Sequence, residues 1–209
     1  MIHDPQGTSN FFSMAELIIP IVGLVGSLTK VVVQHIENQE VKTLQMEMSK
    51  LHKAMDEISS KHNDILLQIK KETMNTQYFN VKERIKRQFS SFMEMMKAKP
   101  EDTKKKREEF KKIFEKEMLD DNLNTLFNSV IGTKMMFGKN ILEVYMEDRQ
   151  KMQCICNDLN HLFAIGLMAL MGYAAILGNP AYEDELRSEW AEKMKKVKER
   201  MDQVLISCT

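Results

Sequence analysis

Hydrophobic residues are arranged in two ways along this chain. Over most of it they recur every three or four positions with charged residues between, the period of an amphipathic helix. In two places the polar interruptions disappear. Leu17–Leu28 reads LIIPIVGLVGSL, and Leu162–Leu177 reads LFAIGLMALMGYAAIL. A membrane-spanning helix needs roughly 20 apolar residues, and these stretches hold 12 and 16. Such lengths fit a hairpin buried inside a helical bundle, or one that stays buried until something releases it. Leu17, Ile18, Ile21, Val22 and Leu24 in the first stretch are candidate membrane- or partner-contacting residues. So are Leu162, Phe163, Ile165, Leu167, Leu170 and Ile176 in the second. Gly23 and Gly26, with Ala164, Gly166 and Gly172, offer small faces that predict close packing of the two stretches on one another.

The clearest periodicity lies between them. Val41, Leu44, Met48, Leu51, Met55 and Ile58 follow in steps of three and four, and Ile65 and Ile69 continue the register. This pattern predicts one helix over 38–71, about 50 Å long at 1.5 Å per residue. Its pairing face suits a long antiparallel bundle or a self-associating coiled coil. His62 falls at a core-type position, where a hydrogen-bonded, partly exposed histidine is the simpler reading and a pH switch the alternative.

Further helices follow. Asn80 and Glu83 mark a start, with Val81, Ile85, Phe89, Phe92, Met93 and Met96 facing inward. Pro100 opens another, with Glu101 and Asp102 in its first turn and Phe110, Ile113, Phe114 and Met118 as its stripe. A short helix spans 123–130. From Ile141 the chain reads as helix without a breaker until Gly178. Asn179 then caps a last helix with Pro180 at its first position. Its stripe is Leu186, Trp190, Met194, Val197, Met201 and Leu205. No segment reads as a strand. The expectation is an all-α, elongated helical bundle with long coiled-coil-like helices and two apolar helical segments. Residues 1–10 form a flexible lead and 11–209 a single domain. The layout is similar to that of helical pore-forming toxins of the cytolysin A class.

Composition narrows the function. Thirty basic and 30 acidic residues balance, so nothing draws the whole chain to nucleic acid. The local basic excess at Lys97–Lys112 reads as a solvated helix face, with anionic lipid headgroups as the other reading. Eighteen methionines against 7% aromatic residues imply an adaptable core. Cys154, Cys156 and Cys208 make no disulfide framework, and no N-x-S/T sequon occurs. Both favour a cytoplasmic, reducing compartment, with membrane association as a second mode. The run after Phe11 lacks the basic flank of a signal peptide.

No phosphate-cradling glycine loop, nucleophile elbow, HExxH or CxxC is present. Cys154, Cys156 and His161 sit at offsets that spread them over different helix faces, so their spacing does not make a metal site. The expectation is therefore no enzyme, no cofactor, no metal and no small-molecule substrate. The partners expected are a protein, a second copy of the chain, or a membrane.

Several blocks resemble the rapunzel family of fish proteins. They are ILLQIKKETMNTQYFNVKERIKRQFSSFMEMMKAKPE, NLNTLFNSVIG, NILEVYM, LFAIGLMALMGYAAI and WAEKMKKV, in that order. They cover about residues 58–206, and an apolar segment, Ile18–Val33, precedes them. The NTQYF, AKPE and IGLMALMGYAA strings are not generic helix sequence. The resemblance implies a developmental role in skeleton and fin, or a role in innate immune regulation. It carries over no catalytic residue. Together these readings point to a non-enzymatic helical regulator acting through protein or membrane contacts. The alternative is a membrane-inserting, pore-forming-like protein whose apolar hairpin is released by a trigger.

Overall fold

The computed structural model describes residues 25–26, 29–30, 34, 39–73, 76–117, 119–133 and 141–208. Seven helices lie among them: α1 (Gln39–Lys61), α2 (Asn63–Thr73), α3 (Thr76–Met96), α4 (Pro100–Glu117), α5 (Leu119–Ile131), α6 (Arg149–Leu177) and α7 (Pro180–Ser207). The described residues contain no strand, as the unbroken helical periodicity predicts.

Helix α6 is the axis of the fold, and all six other helices pack on it. Its 29 residues extend about 44 Å. The second apolar stretch forms its C-terminal half, and Leu162, Phe163, Ile165, Leu167 and Leu170 are all at most 1% exposed. Ile176 is only partly buried, at the edge of the core. A helix apolar on every side has no face for water, so neighbours must surround it. Gly166 and Gly172 bring those neighbours close. A methyl group at Gly166 would lie 2.6 Å from the Leu123 side chain, and one at Gly172 would overlap the Phe92 ring. The small residues thus serve contacts with α5 and α3, rather than solely a face for the first apolar stretch.

Capping sets the ends of the last two helices. The Asp148 side chain accepts from the Lys151 N–H and starts α6, while Gly178, at φ 69°, closes it. The chain from Ile141 to Glu147 forms turns rather than the continuous helix its apolar pattern suggests, because Asp148 caps a new helix instead of extending an old one. Asn179 accepts from Tyr182 N–H, and Pro180 opens α7 as expected. The innermost residue of the final turn is Val204, not Leu205, which is half-buried.

The long helix expected over 38–71 is interrupted. His62 forms a turn between α1 and α2, and its carbonyl accepts from Leu66 N–H at 2.9 Å and from Cys154 Sγ at 3.7 Å. Beyond the break, Leu66 joins Ile69 in the core, and Ile65 is only partly buried. Met48 is buried in α1. The side chains of Val41, Leu44, Leu51, Met55 and Ile58 lie outside the described residues, as does Met118. Gln45 Nε2 donates to the Met96 carbonyl at 2.9 Å, tying α1 to the C-terminus of α3.

Helix α3 begins at Thr76, four residues before the expected start. Val81, Ile85, Phe89, Phe92, Met93 and Met96 face the core as their spacing predicts. Helix α4 starts at Pro100 and buries Phe110 and Phe114. Its charged face is laced with ion pairs, Lys106 with Glu94 and Glu109 and Lys111 with Glu115. Phe114 stacks on Tyr173 of α6 at 3.9 Å between ring centroids, and Trp190 of α7 meets Phe127 and Phe163.

Candidate functional site

Two polar clusters interrupt the apolar surroundings of α6. The first holds Asp158, which is 2% exposed. Lys82 Nζ reaches its carboxylate oxygens at 2.6 and 2.7 Å, and the Tyr78 hydroxyl donates to the same group. The spacing of Tyr78 and Lys82, four apart on α3, puts both side chains on one helix face. Burial, then the charge of Asp158, push the Tyr78 hydroxyl well above its ordinary value. It therefore stays protonated and donates. This triad is sealed from solvent and locks α3 to α6, which gives it a structural role.

The second cluster opens to solvent. His52 and Asp56 are one turn apart on α1, and His161 of α6 faces them. His52 Nε2 lies 3.2 Å from Asp56 Oδ2, and His161 Nε2 lies 3.8 Å from Asp56 Oδ1. One donor atom from each residue lies within 4.8 Å of the others. The His52 ring packs edge-on against Phe89 at 4.8 Å. These residues line a cavity of about 640 Å³, closed on its other sides by Lys86, Phe89 and Met93 of α3, the start of α4, and Ile165.

His161 is only 2% exposed. Burial pulls its pKa down to about 4, against the opposing pull of Asp158 and Asp56. At neutral pH it is an uncharged imidazole with a lone pair to offer. Two imidazoles and a carboxylate can bind a metal ion or hydrogen-bond a ligand. Ser90 of α3 lines the same cavity.

The expected site residues divide. The second apolar stretch supplies the core and, through Ile165, one wall of the cavity. Leu17, Ile18, Ile21, Val22 and Leu24 lie outside the described residues. From the end of the first stretch, Val25 joins the core, and the buried Gly26 lies beside the Glu183 carboxylate of α7. Lys30, just beyond, pairs with Glu183 at 2.8 Å. Cys154 and Cys156 meet different neighbours, and Cys208 lies near enough to Cys156 to act on it. All three are buried free thiols. Cys154 faces the His62 carbonyl, and Cys208 Sγ donates to the Tyr145 carbonyl at 3.6 Å. Burial pushes Cys154 and Cys156 up to about 12, so neither thiol is activated.

Sequence reasoning missed His52 and Asp56 altogether and weighed His161 only against its neighbours in sequence. A usable signal existed in the i, i+4 pairing of His52 with Asp56. A second was the run Asp158, Asn160, His161 at the entrance to an apolar helix. Neither tells which helices meet.

Comparison with known proteins agrees with the resemblance seen in the sequence blocks. Residues 34–209 match the family model of the cephalotoxin-like middle helical domain, a span that includes all seven described helices. The chain is 42% identical over 203 residues to Protein rapunzel of Danio rerio, covering 94% of this chain and 87% of that protein. No solved structure matches it.

Proposed function

This chain belongs to the rapunzel family, and from that premise we propose that it is a non-enzymatic regulatory protein acting through helix-mediated contacts with other proteins. The observation that carries the reading is the use to which α6 is put. Eighty-nine per cent of its most apolar window is buried inside the bundle. Most of that apolar surface is already partnered, and releasing α6 would pull Asp158 away from Lys82 and Tyr78 of α3, at a cost of several kcal/mol. Among the described residues, the large hydrophobic side chains left open to partners are Met46 on α1 and Leu67 on α2, with Leu177 at the end of α6 and Ile206 at the end of α7. The role is of the developmental or innate-immune kind that the family resemblance implies. The reading puts the chain in the cytoplasm, and three free thiols are compatible with that.

A second reading, insertion of a released α6 into a membrane, is favoured by one observation. Among the described residues, α6 is the helix long and apolar enough to cross a bilayer. Flotation with neutral and with anionic vesicles, at pH 7.4 and pH 5, separates the two. The regulatory reading expects the intact chain to stay with the soluble fractions and leave vesicle contents trapped. Flotation with dye release would favour insertion and overturn it.

A further inference from the structure

We propose that His52, Asp56 and His161 bind a divalent transition-metal ion of the zinc class, which clasps α1 to the core helix α6. The donor set is two imidazoles and one carboxylate, the chemistry that such ions favour over the oxygen-only shells of calcium or magnesium. The three donors lie within 4.8 Å of one another. Around a tetrahedral zinc with bonds of 2.0–2.2 Å they would stand about 3.4 Å apart. Closing the difference takes movements of about 1–1.5 Å, less than one rotamer change. The freedom to make them sits on α1, where Asp56 is 53% and His52 34% exposed. His161 is the fixed partner, held by the packing around α6.

The surroundings suit an ion reached from solvent. The cluster lies on the wall of the cavity, so positions left open by three protein ligands face water. Two carboxylates, Asp158 and Asp56, and the Lys86 cation act on His161. Lys86 opposes the ion, while Asp56 contributes its charge directly as a ligand. The Asp158 charge is already shared with Lys82.

The consequence follows from where the ligands sit. Two are on the outer helix α1 and one is on the central helix. A bound ion would therefore fix α1 on α6, and its loss would loosen the segment that carries Met46.

The test uses the full chain, stripped of metal with a chelator, and titrates it with Zn²⁺ and Co²⁺. The expected results are saturable binding of one ion per chain and a higher melting temperature with Zn²⁺. Bound Co²⁺ should show visible bands of a nitrogen–oxygen site without the ultraviolet thiolate-to-cobalt band. His52→Ala and Asp56→Asn change exposed or half-exposed positions, so circular dichroism should remain that of the parent chain. Each should weaken binding at least about tenfold, and the double variant should abolish the melting shift. Absence of saturable binding, a thiolate band, or unchanged affinity in the double variant would each overturn the proposal.

Discussion

Helices α6 and α1 both draw on leucine, isoleucine and methionine, and the bundle uses them in opposite ways. Helix α6 is apolar around its circumference from Leu162 onward, and it is enclosed by its neighbours except near its C-terminal end, where Tyr173 and Ile176 are partly buried and Leu177 is exposed. Helix α1 has Lys42, Met46, Lys50, Lys53, Asp56 and Glu57 exposed, and Met48 buried. A helix with no polar face has a single solution in water, which is the centre of the fold. A helix with a polar face has many, and its partner is chosen by whatever surface is offered. The contrast extends to charge. Asp158 on α6 is dry and matched by Lys82 and Tyr78, whereas Asp56 on α1 is wet and, among the described residues, lies beside His52 and His161. The same residue type is a structural lock in one place and an available ligand in the other.

The contrast can be broken most forcefully at its buried charge. Lys82→Met leaves the Asp158 carboxylate in the core without its ion-pair partner. It should cost about 3–5 kcal/mol in denaturant unfolding. Replacing the whole group, as Lys82→Met with Asp158→Leu and Tyr78→Phe, should recover most of that loss. A cost under about 1 kcal/mol for the single change would mean that the pair is solvated like a surface bridge.

Next in size is the close approach at Gly172. Gly172→Ala puts a methyl group into the Phe92 ring and should cost about 1–3 kcal/mol, read as a lower melting temperature. A neutral result would show that α3 and α6 pack less tightly than their geometry here.

An effect of opposite sign is expected at Gln88. It is fully buried, and neither amide atom has a hydrogen-bond partner among the described residues. Gln88→Met should therefore stabilise the chain by about 1–2 kcal/mol. Destabilisation would reveal a hidden partner for the amide.

Helix α1 supplies the small effects. Met46→Glu, on its outer face, should change stability by no more than about 0.5 kcal/mol while weakening capture of any protein that docks there. A large loss of stability would make α1 a core helix like α6. Finally, Cys154 and Cys156 should resist alkylation until the chain unfolds, and reductant should leave the melting curve unchanged. Rapid native-state labelling would show that α6 opens locally.

The sequence by itself determined most of the helices and marked the apolar run that forms the central one as a segment unfit for water. Periodicity of three and four marks a buried stripe whatever it packs against, so Val81 through Met96 and Leu186 through Met201 could be read directly. Asn179, Pro180 and Gly178 act on their own backbone, so they too were legible. The all-round apolar run from Leu162 marked a helix that needs cover, from the bundle or from a membrane, because that need depends only on composition. Tertiary structure decided what local rules cannot reach. It broke the heptad register at His62, where the carbonyl takes bonds from both Leu66 and Cys154. It turned Gly166 and Gly172 toward Leu123 and Phe92, since a small residue permits approach without naming the partner. It brought Lys82 to Asp158, 76 residues apart, and His161 to His52 and Asp56 on another helix. Such pairings depend on distances through space, and a helix's own sequence records only which of its faces needs company.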